Sequence, residues 1–387
     1  MASRLAIVTT HPIQYNAPWF KLLAAVQGLS IKVFYTWEQS QKNEKYDPGF
    51  GKVIGWDIPL LEGYDYTFVK NISPDPGSHH FKGIDNPTLI SEIEQWGADT
   101  VLVFGWPFKS HLACLRYFKG KIPVLFRGDS TLLDEQQGIK KLLRRMFLRY
   151  VYRHVDYALY VGTNNRAYFR AHGLKEKQLC HVPHAIDNDR FSQPDDKYTI
   201  GADAWRAELL LTDDNFVLLF AGKLEAKKDP GFMLQLAKAL RAPHYRFIIA
   251  GNGPMEQQLK EAAAHDKRII FIDFQNQQQM PVLNRLAHVF ILPSKGPGET
   301  WGLAINEAMA CSRPVVATTL TGGAIDLINK NGIIIEPGDV KATADYITQL
   351  SSDKAMYAKA AAASKQQIKE FSFHKIVNNI SSLLKSI

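Results

Sequence analysis

Two glutamates, Glu299 and Glu307, bracket seven uncharged residues in the stretch from Gly298 to Thr318, "GETWGLAINEAMACSRPVVAT". A carboxylate offers two acceptor oxygens, enough to take both hydroxyls of a vicinal diol such as a ribose or a sugar ring. The residues before this stretch form turns and those after Gly302 favour a helix, so a helix is expected from about Trp301 or Gly302. Its first amide N–H groups lack intrahelical partners and make a site for an anion. On this reading Glu299 lies before the helix and Glu307 about two turns inside. The backbone of Thr300, Trp301, Gly302 and Leu303 then holds a phosphate between them, and Gly302 keeps a side chain out of the anion's way. The plain alternative is one capping and one solvated glutamate, and the neighbouring signals weigh against it.

Those signals lie upstream. In "FAGKLEAKK", Gly222 follows an apolar run, with Lys223 next to it and Lys228 five residues on. In "IIAGNGPME", Gly251 and Gly253 follow another apolar run. Ligands of open parallel sheets bind outside the carboxyl ends of the strands. Glycine allows close backbone approach to a phosphate, and lysine brings a point charge to it. Taken singly, each also reads as a tight turn with solvated lysines. "GNGP" is not a dinucleotide fingerprint, because the third glycine is missing and it does not follow the first strand.

Stepping outward, the elements that must position these residues are short apolar runs alternating with helical patterns. "RLAIVTT", "IKVFYTW", "TVLVFGW", "IPVLFRG" and "DYALYVG" fill the first half, and "FVLLFAG", "YRFIIAG", "RIIFID", "HVFILP", "PVVAT" and "GIIIEPG" the second. Near-continuous Val, Ile, Leu and Phe are what a parallel strand buried on both faces requires. Both halves are therefore expected to be doubly wound α/β. The region from Gln39 to Asn86, rich in Gly, Pro, Asp and Lys, reads as an insertion with a short strand near Trp56 to Ile58. "PHAIDNDRFSQP" (Pro183 to Pro194) reads as the linker. The expected division is residues 1–190, 191–370, and a last helix in 371–387.

The 387 residues carry a net charge of +8 with only three scattered cysteines, Cys114, Cys180 and Cys311. That favours anionic partners and a reducing compartment, and argues against a disulfide framework. No apolar run is long enough to span a membrane and the N-terminal run is too short for a signal peptide, so a cytoplasmic location is expected.

The block from Gly222 to Gly338 resembles the donor half of GT-B-fold family 4 glycosyltransferases. That family's pattern is Gly-Arg-Leu with a downstream Lys, Gly-x-Gly-Pro, Glu-x7-Glu running into Glu-Ala-Met-Ala-Cys-Gly-x-Pro-Val, then Gly-Gly and Asn-Gly. Here it appears in order as "GKLEAKK", "GNGP", "GETWGLAINEAMACSRPVV", "TGG" and "NG". Lys223 stands for the usual arginine, Trp301 for a common Phe and Ser312 for a common Gly. The resemblance implies two Rossmann-like domains facing a cleft, with the last helix crossing back to the first domain. It implies transfer from a nucleoside diphosphate sugar to an acceptor hydroxyl, with retention of configuration and no metal or other cofactor. Gly222, Lys223, Lys228, Gly251 and Gly253 would hold the donor diphosphate, and Glu307 the ribose. Glu299 and the backbone of Thr300 to Leu303 would meet the transferred sugar and phosphate.

The first half resembles the family through "TTHPIQYNAPWF" and "RGDSTLL", where Arg127 replaces a usual histidine. His11, Tyr15, Arg127 and Asp129 follow strands and are the acceptor-side candidates, with Asp129 also a candidate for the chemistry. Taken alone, each reads more readily as structural than as catalytic. "DND" (Asp187 to Asp189) resembles a metal motif of a different fold, but its linker position argues against metal. "GIKKLLRRMFLRYVYRH" (Gly138 to His154) holds six Lys/Arg and no acid. Its stripe of Leu142, Leu143, Met146, Phe147 and Tyr150 is read first as core-facing, with Leu148 and Val151 among the basic residues. The other reading is a lip on an anionic membrane surface, as a sugar- or lipid-linked acceptor would suit. Nucleic acid is not expected, since no recognised motif accompanies the charge. Rival readings are a sugar-nucleotide epimerase of the same fold and a non-catalytic sugar-nucleotide-binding subunit.

Overall fold

The computed structural model describes residues 3–41, 44–47, 52–135, 138–192 and 196–387. The apolar runs become strands β1 (Ser3–Thr9), β2 (Leu29–Tyr35), β3 (Glu44–Asp47), β4 (Lys52–Gly55), β5 (Asp65–Phe68), β6 (Thr100–Phe104), β7 (Val124–Arg127), β8 (Tyr157–Tyr160) and β9 (Leu179–His181). The second series is β10 (Phe216–Ala221), β11 (Tyr245–Ala250), β12 (Ile269–Ile272), β13 (Val289–Leu292), β14 (Val315–Thr318) and β15 (Gly332–Ile335). The chain forms two units: Met1–Lys45 with Ile58–His184 and Phe373–Ile387, and Tyr46–Asp57 with Ala185–Ser372. Residues 46–57 and 185–190 thus group with the second unit, whereas the sequence reading put them in the first.

In the first unit seven strands run in the order β5-β2-β1-β6-β7-β8-β9, and all are parallel. Leu5, Ile7, Val33 and Leu102 are buried on one face, and Ala6, Val8, Phe34 and Val101 on the other. This two-sided burial is why these strands read as unbroken apolar runs rather than alternating ones. The last helix, Phe373–Ser386, belongs to this unit. It packs on helix Ala17–Ala24, and its Asn379 side-chain N–H donates to the His181 carbonyl at 2.7 Å. Burial of its Phe373, Ile376, Val377 and Ile380 holds it there.

The second unit has six parallel strands in the order β12-β11-β10-β13-β14-β15. Leu218, Phe220, Phe247, Ile249, Val289 and Ile291 meet the buried residues of helices Phe232–Ala239 and Val340–Ser352 on one face. Strand order reverses between β10 and β13, so the loops leaving those two strands border the crevice where such sheets take ligands. In the first unit the same reversal falls between β1 and β6.

Two expectations are corrected. Trp56 to Ile58 is not a strand; the strand is β4, which pairs with β3 in a ribbon. Its trailing residues are tied by Asn276 Nδ2 donating to the Gly55 carbonyl and by the Gln278 N–H donating to Asp57 Oδ2. In helix Ile139–Tyr152 the core-facing reading of the stripe is reversed. Leu142, Leu143, Met146 and Phe147 are 45–60% exposed, while Leu148, Val151 and Tyr152 are the buried residues. Helical spacing separates the two faces, and it is Leu148, Val151 and Tyr152 that join the core of this unit. Lys141 and Arg145 lie on the inner side, and both pair with Glu135.

His288 gives the second unit a pH-dependent element. The Val217 N–H donates to His288 Nδ1 at 3.0 Å, and the ring stacks on Phe216 at 4.8 Å between centroids. Burial, with Arg313 and Arg206 nearby, pushes its pKa down from 6.5 to about 4. The folded state therefore stays neutral while the unfolded chain takes a proton, so stability should fall as pH drops from about 6.5 to about 4 and level off below. A shift of this size corresponds to about 3 kcal/mol. The thermal midpoint measured against pH should slope across that window, and His288→Asn, whose amide oxygen accepts the same N–H without titrating, should flatten the slope. An unchanged slope in the variant would contradict the assignment.

Candidate functional site

The sequence places small residues where strands of the second unit end, and the structure shows what this permits. Gly251, at φ +133, leaves β11 so close to the β10 exit that a Cβ on it would lie 2.0 Å from the Gly222 carbonyl oxygen. No side chain fits there. The Leu224 N–H donates to the Asn252 carbonyl and the Met255 N–H to the Leu224 carbonyl, which zips the two loops together. Gly253 runs beside Leu224 in the same zipper. Asn252 was not singled out from sequence, yet its side chain bonds Glu256, Asp273 and the Phe274 N–H.

The turn Ala226–Lys228 follows, and Lys228 Nζ donates to Glu299 Oε2 at 2.5 Å. Ser294 Oγ donates to the same oxygen at 3.2 Å. Both charged side chains are largely buried, at 19% and 10% exposed. Lys228 comes from the loop after β10 and Glu299 from the loop after β13, so this pair spans the point where strand order reverses. A buried ion pair needs additional hydrogen bonds to offset desolvation, and Ser294 supplies one. Lys223 lies two residues past β10, partly buried.

The Glu299 segment is fixed from its other side by the "TGG" residues. The Gly322 N–H donates to the Glu299 carbonyl at 2.8 Å and the Gly323 N–H to the Trp301 carbonyl at 2.9 Å. Thr318 Oγ1 bonds the Ser294 carbonyl at 2.5 Å. Trp301 is 3% exposed and its indole N–H donates to Asn306 Oδ1 at 2.9 Å, so its side chain locks the loop.

The helix of the opening stretch is Leu303–Ala310, with Gly302 before it at φ +95. Its N-cap makes no side-chain hydrogen bond and its first turn carries no acid, which suits an anion at the helix N-terminus. Gly302 has a structural reason of its own: a Cβ there would lie 2.9 Å from Leu292 and Thr321 side-chain atoms. Glu307 is the fifth residue of this helix, a little over one turn inside rather than two, and is 2% exposed.

In the first unit the four candidates part company. Arg127, the last residue of β7, is 3% exposed, and its guanidinium donates to the carbonyls of Val182 and Pro183 at 2.8 and 3.1 Å. Burial lowers its pKa to about 10, opposed by Asp129. It holds the chain leaving β9 by both of these hydrogen bonds. Asp129 is about half exposed, with His184 Nε2 3.6 Å from its Oδ2. Burial holds the His184 imidazole below its usual range, while the Asp129 carboxylate pulls the other way. His184 was read only as part of a linker, because nothing in "PHAIDN" reveals that it folds against the β7 loop. His11 bonds Thr10 Oγ1 at 2.9 Å and meets the Trp37 ring edge-on at 5.5 Å. Tyr15 is partly buried in the turn before helix Ala17–Ala24. In "DND", Asp187 accepts the Arg190 N–H and Asn188 donates to the carbonyls of Ile368 and Phe371.

Two parallel doubly wound sheets in one chain, the second with paired acidic and basic residues at its reversal point, define the GT-B architecture. Residues 201–367 match the family described as glycosyl transferases group 1. Among curated relatives, the chain is 28% identical to a D-inositol 3-phosphate glycosyltransferase of Xylanimonas cellulosilytica over 52% of this chain and 50% of that one. It is 24% identical to a GDP-mannose-dependent monoacylated alpha-(1-6)-phosphatidylinositol monomannoside mannosyltransferase of Corynebacterium glutamicum, over 62% of this chain and 65% of that one. The chain thus spans about half to two thirds of the length of these relatives. Among solved structures, Anabaena HepE in complex with UDP and glucose superposes over 100% of both chains with a TM-score of 0.70 at 17% identity. Sucrose-phosphate synthase from Thermosynechococcus elongatus gives 0.72 at 18%, over 99% of this chain and 98% of that one.

Arg127→Met should act on stability rather than recognition. It leaves the Val182 and Pro183 carbonyls without their donor, at a cost of roughly 2–4 kcal/mol. A thermal midpoint lowered by several degrees, with unchanged donor and acceptor KM in the folded protein, is the expected result. A raised acceptor KM with an unchanged midpoint would restore the acceptor role.

Proposed function

We propose that this protein transfers a sugar from a nucleoside diphosphate sugar to an acceptor hydroxyl with retention of anomeric configuration, in the assembly of a cell-surface polysaccharide or glycolipid. The observation that carries the reading is the Lys228–Glu299–Ser294 cluster, set beside the zipped Gly222 and Gly251 loops and the uncapped helix at Leu303. It puts positive charge and amide donors where a diphosphate would sit, with a carboxylate at their edge. The names of the relatives, which include inositol phosphate and phosphatidylinositol mannoside glycosylation, support a sugar- or lipid-linked acceptor. HepE bound to UDP and glucose supports a nucleotide-sugar donor.

In this proposal the donor binds the second unit. Lys223, Lys228 and the amides from Thr300 to Leu303 neutralise the diphosphate, and Glu307 takes the ribose hydroxyls. Glu299 faces the transferred sugar. The anomeric carbon–oxygen bond to the diphosphate breaks, the acceptor oxygen bonds the same carbon, and the acceptor proton passes to the leaving diphosphate. That charge is stabilised by fixed donors, so no divalent metal is required. His11, Tyr15 and Asp129 of the first unit remain the acceptor-side candidates. The epimerase reading would instead release free nucleoside diphosphate and an epimerised sugar without any acceptor.

The glutamates separate these roles. Losing a charged hydrogen bond costs roughly 1.5–3 kcal/mol, about 10- to 150-fold in affinity. Glu307→Gln should weaken donor and free nucleoside diphosphate alike. Glu299→Gln should leave nucleotide affinity nearly intact while turnover falls by orders of magnitude. Calorimetry beside steady-state rates reads both, and wild-type turnover should persist in excess EDTA. Reversed effects of the two variants would overturn the roles assigned here.

The exposed stripe of Ile139, Leu142, Leu143, Met146 and Phe147 beside Lys140, Arg144 and Arg149 supports attachment to an anionic membrane face. Among the described residues no helix is long and apolar enough to cross a membrane. Each basic residue near such a surface contributes about 1 kcal/mol. In liposome cosedimentation, anionic vesicles should retain the protein at low salt and release it at high salt. Lys140→Gln with Arg144→Gln should weaken retention, and so should Leu142→Ser with Met146→Ser. No retention of wild type at low salt would exclude the surface.

A further inference from the structure

The loop that leaves β5 carries a side-chain cluster for which sugar transfer has no use. Its sequence is Ser73-Pro74-Asp75-Pro76-Gly77-Ser78-His79-His80. Pro74 and Pro76 fix their own φ, Pro76 biases Asp75 to extended backbone, and both narrow the conformations the loop must lose on folding. Asn71 pins the loop's ends: its Oδ1 accepts from the Ser73 and Asp85 N–H groups, and its Nδ2 donates to the Gly83 carbonyl. The Gly77 N–H donates to the Gly83 carbonyl at 3.1 Å, and the Gly83 N–H to the His80 carbonyl at 3.1 Å.

Within this frame the two adjacent histidines converge on one carboxylate oxygen. His79 Nε2 lies 3.1 Å from Asp75 Oδ2, and His80 Nε2 lies 3.2 Å from the same atom. Consecutive side chains ordinarily diverge. Here the turn brings both imidazoles to one point, with their centroids 4.6 Å apart. Gly77 makes this possible, since a Cβ on it would lie 2.5 Å from His79 Nδ1. One ligand atom from each of the three residues falls within 4.8 Å of the others.

A tetrahedral zinc ion with bonds of about 2.0–2.1 Å sets its ligand atoms roughly 3.3 Å apart. The two Asp75–imidazole separations already match that edge. Two imidazoles and one carboxylate form the donor set of open zinc sites, in which three protein ligands leave the fourth position to water or another oxygen ligand. His80 Nε2 also lies 3.0 Å from the Asp75 main-chain carbonyl oxygen, so Asp75 seats that ring through two oxygens while its carboxylate meets both imidazoles.

We propose that Asp75, His79 and His80 form a binding site for a divalent transition-metal ion, with Zn²⁺ the expected occupant. The site belongs to the first unit and is independent of the diphosphate chemistry proposed for the second. The ion closes the loop between Asp75 and His80, and its open position faces solvent, where water or an anionic oxygen can complete the tetrahedron.

The test uses the full chain, stripped with chelator, dialysed and titrated with ZnCl₂ by calorimetry, with native mass spectrometry reading stoichiometry. One equivalent should bind at micromolar zinc or tighter. His79→Ala, His80→Ala and Asp75→Asn should each weaken it at least about 10-fold. Because all three side chains are substantially exposed, circular dichroism and thermal midpoint without zinc should match wild type. Co²⁺ in place of Zn²⁺ should give the visible absorption of a tetrahedral ion, lost in the histidine variants. Absence of zinc uptake by the wild type, or undiminished uptake by a folded His79→Ala/His80→Ala protein through others of the twelve histidines, would overturn the proposal.

Discussion

The second unit's site depends on backbone meeting backbone. The β11 exit passes so close to the β10 exit that the Gly222 oxygen occupies the space a Gly251 Cβ would need, and Gly322 sits as tightly against the Thr300 carbonyl, where a Cβ would fall 1.9 Å away. Side chains at these positions would drive the loops apart. Their absence lets the four loops that follow β10, β11, β13 and β14 converge around the point where strand order reverses, with amides and carbonyls already paired. The Lys228–Glu299 pair then joins the loops after β10 and β13 across the reversal.

That pair makes the site electrostatically self-contained before any ligand arrives. Lysine carries three N–H donors on one ammonium, and only one is given to Glu299 in the geometry described. The remaining capacity can meet an incoming oxyanion without first breaking the ion pair. The uncapped helix at Leu303 adds partial positive charge on the other side. Such preorganised donors act without rearrangement when charge develops on a leaving group. The stitching of Glu299 and Trp301 backbone to Gly322 and Gly323 keeps them in register.

Much of this second unit was legible in the sequence because its constraints are local. Gly-Lys after one apolar run, Gly-Asn-Gly after another and Glu299 after a third each lie in a loop that leaves a strand, and a parallel sheet brings such loops together whatever lies between. The contributions of Ser294 and Asn252 were not legible, since neither residue type nor spacing says which oxygen a side chain meets. In the first unit, long-range packing decides more. Arg127 occupies a position that suggests an active-site histidine, yet the fold directs it onto carbonyls 55 and 56 residues away. The periodicity of the basic helix revealed its stripe but not the side on which the core lies. Asp75, His79 and His80 converge only through a glycine turn whose shape the sequence does not spell out. The expected strand at Trp56 to Ile58 failed because the residues that pair lie just before it.

The central claim is that the Lys228–Glu299 cluster receives a nucleoside diphosphate, and calorimetry on the Lys228→Met protein tests it most directly. UDP and GDP are titrated into wild type and variant, with the thermal midpoint of each measured alongside. Wild type should bind one of the two, and the variant should bind it at least about 10-fold more weakly while remaining folded, as loss of a charged hydrogen bond requires. Equal affinity in wild type and folded variant would contradict the account.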